Sequence, residues 1–192
     1  MSLPNIITVA RIFLVPVFVL TYLSTWEWRY IGTAILFGLA AFTDWLDGYL
    51  ARKLDQTTPF GAFLDPVADK LIVVTALVLL IGHHANLVLT LPGMIIVGRE
   101  IVISALREWM AEMNQSLTVA VSRLGKIKTT IQMIAIAVLL ANPPVFNSMW
   151  VLTGYVLVYI AAFMTLWSMT VYLHAAWPTL RAGLIAMKKY HK

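Results

Sequence analysis

Six apolar runs follow one another along the chain, at 4–24, 30–50, 60–82, 86–110, 118–141 and 148–173, each bounded by polar or turn-forming residues. Each is close to the ~20 residues that an α-helix needs to cross a hydrocarbon core of about 30 Å. Hydrocarbon offers the backbone no hydrogen-bond partners, so each run is expected to satisfy its own N–H and C=O groups as a helix. With 60% of its 192 residues hydrophobic and 12% charged, the chain lacks the polar side chains to cover a water-facing surface, which disfavours a soluble helical core. The expectation is an all-α, polytopic membrane protein with six transmembrane helices, forming one domain over residues 1–192.

Punctuation supports this division. Pro4 suits a helix start, and Trp26 and Trp28 fall where interfacial aromatics belong. Gly82, His83 and His84, and later Asn142, Pro143 and Pro144, interrupt the pattern, and Trp150 marks re-entry. Arg52, Lys53, Arg107, Arg123, Lys126, Lys128, Arg181, Lys188, Lys189 and Lys192 fall around the connections after the second and fourth runs or in the C-terminal tail, against Arg29 alone on the other side. By the positive-inside rule both termini are cytoplasmic, as an even number of spans also requires. The net charge of +5 is therefore a topology signal with some attraction to anionic headgroups, and nucleic acid is not an expected partner. The opening stretch lacks a basic n-region and Arg11 interrupts its apolar run, so a retained helix is expected instead of a cleaved signal, in a bacterial inner membrane. The absence of cysteine rules out disulfides, a thiolate nucleophile and cysteine-based metal sites.

Four carboxylates stand among these apolar residues. Asp44 and Asp47 are spaced i, i+3, and Asp65 and Asp69 i, i+4, which puts each pair on one face of its own helix. A short connection makes the two helices antiparallel neighbours, so the pairs meet in a partly dehydrated place where cations must offset their charge. Oxygen donors without Cys or nearby His suit a hard ion, Mg²⁺ or Mn²⁺, which also shares its coordination with substrate phosphates. Gly48 and Gly61 let a ligand or the facing helix approach closely. Arg52 is placed to grip phosphate oxygens as a fork, while Lys53 reads as an interfacial anchor.

In order, these residues spell D-x-x-D-G-x-x-A-R-x8-G-x-x-x-D-x-x-x-D, with every fixed position filled. In this the chain resembles the CDP-alcohol phosphotransferase family. LPNIITVARI, TDWLDGYLARKLDQTTPFGAFLDPVADK, GREIVISALREWMAE and VAVSRLGKIKTTIQM extend the resemblance over nearly the whole chain. The resemblance implies a homodimer in which an alcohol displaces CMP from a CDP-linked lipid, here CDP-diacylglycerol. It also implies that Asp44, Asp47, Asp65 and Asp69 hold two divalent ions, with Asp69 as the base. Asn5, Thr8 and Arg11 form a polar edge on the first helix that the resemblance assigns to the nucleotide, although Asn5 and Thr8 can also end the helix at the interface. Thr57 and Thr58 can bond phosphate oxygens or cap the third helix.

A second charged group points to the acceptor. Arg107, Arg123, Lys126 and Lys128 flank the loop expected to meet the aspartates, and Arg123, Lys126 and Thr130 share one helical face. A phosphate dianion such as sn-glycerol 3-phosphate gains from such a cluster; choline or serine gains little. Arg107 can instead pair with Glu108 or Glu112. Arg99 and Glu100 lie inside the fourth run and, about 100° apart on the helix, are expected to bond different partners. His83 and His84 are expected to be solvated on the face away from the aspartates, and Lys188–Lys192 to form a tail near anionic lipid. A cation transporter is the rival reading, but its site is expected near the midplane between repeats, whereas these aspartates gather near one membrane face.

Overall fold

The structure, a computed structural model, describes residues 3–54, 59–112 and 123–190. Among them are six helices and no strands: α1 Leu3–Leu23, α2 Arg29–Leu54, α3 Pro59–His84, α4 Leu87–Glu112, α5 Arg123–Leu140 and α6 Met149–Tyr190. Each expected run corresponds to one helix, within a few residues at most ends.

Two ends differ. α2 continues to Leu54, so Arg52 and Lys53 stand on its last turn instead of following it. α6 runs to Tyr190, well past the expected stop at 173, and Lys188 and Lys189 therefore belong to a helix and not to a tail. Four helices are long and apolar enough to span a membrane: α1 over Ile6–Leu23, α3 over Pro66–His84, α4 over Leu87–Met110 and α6 over Met149–Trp177. α2 and α5 fall short of that measure because they carry the charged side chains of the signature and of the basic cluster. α2 nevertheless exposes Ile31, Ile35, Leu39 and Phe42 along one stripe, a face that suits hydrocarbon.

The helices alternate in direction, as contacts at one end of the bundle show. Tyr22 at the end of α1 packs edge-on against Tyr30 at the start of α2 and His83 at the end of α3. His84 Nδ1 lies 2.7 Å from the Tyr155 hydroxyl near the start of α6, and Asn86 Nδ2 donates to the same hydroxyl at 2.8 Å. Both histidines are thus partly buried in a polar-aromatic cluster, which corrects the expectation of simple solvation; their ring edges find tyrosines before they find water. The α3–α4 turn is tight: Ala85 adopts φ 45° and Asn86 Oδ1 caps α4 by accepting from Leu89 N at 2.9 Å. Trp26, Trp28 and Trp150 are exposed at this same end, where membrane-interface aromatics belong.

The core lies between the helices. Phe18, Phe37, Leu77, Leu80, Leu89, Ile136, Leu139 and Val151 are fully buried in one apolar cluster. α5 packs along α6, and there the backbone of Gly154 touches Leu139: a Cβ at Gly154 would sit 2.5 Å from Leu139 Cδ2 and 2.6 Å from its Cγ. This packing leaves the polar residues of α1, α2, α3, α4 and α5 gathered toward the other end of the bundle.

Candidate active site

α1, α2 and α3 meet at the aspartates. Arg11, about two turns into α1, sends Nη1 to Asp44 Oδ1 at 2.9 Å and to Asp69 Oδ1 at 2.5 Å. Its side chain is 1% exposed, whereas those of Asp44 and Asp69 are 46% and 44% exposed. A deeply placed guanidinium therefore draws together two carboxylates from different helices, with their outer portions open to incoming groups. Asp44 lies late in α2 and Asp69 three turns into α3, so the antiparallel pairing inferred from sequence brings them level. Thr8, one turn before Arg11, is fully buried beside this junction, and Gly61 is buried at the start of α3.

Several expected site residues lie on described helices with side chains outside the described residues: Asn5, Asp47, Gly48, Arg52, Asp65 and Arg123. Thr57 and Thr58 lie outside them altogether. Asp47 is one turn of α2 from Asp44, and Asp65 one turn of α3 from Asp69, on the same helix faces.

The donor set fits a hard cation. Asp44 and Asp69 contribute only oxygens and already converge on a positive atom, the guanidinium Nη1 that stands where a cation is required. Asp47 and Asp65 bring the carboxylates of the sequence motif to four, an acidic group for which hard cations are suitable partners.

A second polar cluster joins α4, α5 and α6. Lys128 Nζ donates to Glu100 Oε1 at 3.2 Å, Arg99 Nη1 donates to the same oxygen at 3.0 Å, and Arg99 Nη2 reaches Ser168 Oγ at 3.3 Å. Arg99 and Glu100 thus bond each other, which corrects the expectation that neighbours pointing about 100° apart hold different partners. Both side chains are long enough to fold back across that angle, and Glu100 serves Lys128 as well. Lys128, expected among the cations that flank the loop, is buried and reaches inward to Glu100. Arg107 lies over the Tyr172 ring, 5.4 Å from its centroid, and within electrostatic range of Lys128. Lys126 is exposed, and its carbonyl accepts from the Thr130 hydroxyl at 3.0 Å.

The sequence reading left Arg99 and Glu100 without a role and did not single out Gln132. Gln132 sits one turn past Lys128 on the same buried face of α5, and its Oε1 has no partner among the described residues. A polar residue recurring at i+4 from a lysine, inside an apolar run, was the available signal.

Comparison with known proteins places these residues in context. The family described as CDP-alcohol phosphatidyltransferase matches residues 1–176. A protein of Pseudomonas fluorescens named CDP-diacylglycerol–glycerol-3-phosphate 3-phosphatidyltransferase is 56% identical, over 94% of this chain and 93% of its own length. Proteins of the same name from Escherichia coli (strain K12) and Salmonella paratyphi A are 49% and 48% identical, each over 91% of this chain and 94% of its own length.

Proposed function

Because this chain belongs to the CDP-alcohol phosphatidyltransferase family, we propose that it is a phosphatidylglycerophosphate synthase, transferring the phosphatidyl group of CDP-diacylglycerol to sn-glycerol 3-phosphate. The observation that carries the reading is the convergence of Asp44 and Asp69, two members of the signature, on one buried cation at the meeting of three helices. Relatives of the same name at 48–56% identity over nearly their full length support the choice of substrates.

The reaction forms a bond from the acceptor hydroxyl oxygen to the lipid-side phosphorus and breaks the bond from that phosphorus to the bridging oxygen, which leaves with CMP. Asp44, Asp47, Asp65 and Asp69 would hold two divalent ions, Mg²⁺ or Mn²⁺. When bound, these ions supply positive charge to the diphosphate and to the departing CMP. Asp69 takes the proton of the acceptor hydroxyl, and Asp44, pinned by Arg11, keeps its place beside it. Arg11, Asn5, Thr8, Gly48, Arg52, Thr57 and Gly61 form the donor side, where Gly48 and Gly61 give the nucleotide room and Arg52 meets its phosphates. Arg107, Arg123, Lys126 and Lys128 receive the phosphate of the acceptor. The site faces the cytoplasm of a bacterial inner membrane, where the positive-inside distribution puts it, and the enzyme works as a homodimer.

The test is CMP release by the purified chain in detergent with CDP-diacylglycerol, Mg²⁺ and a panel of alcohols, each repeated with EDTA. Release with glycerol 3-phosphate, abolished by EDTA, is expected. Release with another alcohol only would replace the acceptor, and release that ignores EDTA would remove the divalent ions from the site.

A further inference from the structure

The basic cluster is organised around a single carboxylate. Glu100 Oε1 accepts from both Lys128 and Arg99, and Arg99 and Arg107 both lie within electrostatic range of Lys128. Among the described residues, three cations against one carboxylate leave two positive charges, the counterpart of a phosphate monoester dianion. A lysine ammonium on a four-carbon stem has many rotamers open to it, and those are removed here by burial and by the bond to Glu100. Arg99 is fixed at two nitrogens, by Glu100 and by Ser168 on α6, while its buried Nε has no partner among the described residues. A donor is therefore left over in a cluster that is otherwise internally satisfied.

We infer that Glu100 is a positioning residue for the acceptor: it holds Lys128 and Arg99 where together they receive the phosphate of glycerol 3-phosphate. The inference rests on the acceptor site proposed above and adds Arg99 to it. A carboxylate in contact with a phosphate dianion would repel it, so the effect of Glu100 passes through the two cations it orients. A purely structural tie between α4, α5 and α6 would use the same bonds, but its loss would disturb both substrates alike. A positioning role is specific to one substrate, and it shrinks when either of the residues being positioned is gone.

The test uses the full chain in detergent, measuring CMP release against both substrates for the wild type, E100Q, K128M and the double variant. E100Q keeps the shape of the side chain and removes the charge that pins Lys128. The expected result is a rise of about tenfold in the glycerol 3-phosphate KM with the CDP-diacylglycerol KM changed by less than about twofold. In the K128M background, E100Q should raise the acceptor KM by clearly less than it does in the wild type, because only its hold on Arg99 is then left to lose. E100D, which retains the charge but withdraws it by one methylene, carries the same test if E100Q does not yield folded protein, and should shift the acceptor KM in the same direction. Equal rises in both KM values, a full additional factor on top of K128M, or a fall in the acceptor KM would each overturn the inference. A wild type that releases CMP with another alcohol but not with glycerol 3-phosphate would overturn the acceptor reading itself, so the two failures are distinguishable.

Discussion

Arg11→Met removes the cation between Asp44 and Asp69 while keeping an unbranched stem to fill its buried space. Breaking a fully buried ion pair from one side costs ~3–5 kcal/mol, whereas an exposed pair contributes about 0–1 kcal/mol. Here the group removed is 1% exposed and the two left behind are 46% and 44% exposed, so water takes up part of the charge that Arg11 held. Each lost contact then counts roughly 1 kcal/mol and the variant loses about 2 kcal/mol, or about 4–8 °C for a chain of this size. The loss should depend on divalent cations. Without Arg11 the carboxylates have more charge to share, so millimolar Mg²⁺ should recover most of the deficit, raising the transition of the variant by more than that of the wild type. The assay is thermal unfolding in detergent at one fixed scan rate, since such transitions are kinetic, with and without EDTA. A deficit of the same size in Mg²⁺ and in EDTA would refute the idea that Asp44 and Asp69 are where the ions bind, and a deficit below about 0.5 kcal/mol would show that Arg11 does not hold the two helices together.

Asp69→Asn should lower turnover by roughly 10²–10⁴ while leaving CDP-diacylglycerol binding nearly intact, because it removes the proton acceptor with almost no change in volume; steady-state CMP release together with equilibrium binding of the lipid checks both halves. Lys126→Ala should raise the KM for glycerol 3-phosphate more than that for CDP-diacylglycerol, and equal effects would make it a general phosphate contact. Gly154→Ala should destabilise the chain by about 1–3 kcal/mol without altering either KM, since its methyl would meet Leu139 Cγ, close to the backbone, where the side chain has little freedom to yield; the unfolding transition reads the loss.

The helices were legible because the signal for them is coarse: an apolar run of spanning length, closed by proline, glycine or tryptophan, fixes a helix to within a few residues. α6 shows where that signal stops. Beyond 173 the run loses its apolar character, but a polar helix is as regular as an apolar one once it has left hydrocarbon, and composition does not mark its end. α2 and α5 show the converse: their polar residues lower their apolarity below that of a plain span, and those residues are ones the proposed function uses. Spacing alone put Asp44 and Asp69 on facing helices. It did not reveal that Arg11, more than thirty residues away in sequence from either, closes the pair, because a contact between α1 and both partners depends on how three helices are rotated against one another. The mutual bond of Arg99 and Glu100 escaped for a smaller reason: helical angle describes where side chains leave the backbone, and long side chains do not have to end where they begin.

The two charged clusters have opposite signs and separate supports, and this bears on how one site can hold two anionic substrates. α1, α2 and α3 carry the aspartates with Arg11, a mainly acidic group that, on the reading proposed above, draws cations and, through them, a diphosphate. α4 and α5, steadied by α6, carry Lys128, Arg99 and Arg107 around Glu100, a mainly basic group that, on the same reading, meets a phosphate directly. A donor diphosphate and an acceptor phosphate would repel each other if they shared one set of counter-charges in a low-dielectric place. Giving each its own set lowers that repulsion and also sorts them, since a bare phosphate approaching the aspartates is repelled until cations arrive, while the basic cluster accepts it as it is. On this view Glu100 and Arg11 play matching parts. Each is the minority charge in its cluster, each is held by two partners of opposite sign, and each sets where the majority charges stand without cancelling them. Metal dependence should then follow the donor far more than the acceptor: withdrawing Mg²⁺ should weaken CDP-diacylglycerol binding and leave glycerol 3-phosphate protection of the chain against unfolding largely in place. Equal dependence of the two would mean that both substrates bind through the same ions, and that the division between the helix triplets has no part in keeping them apart.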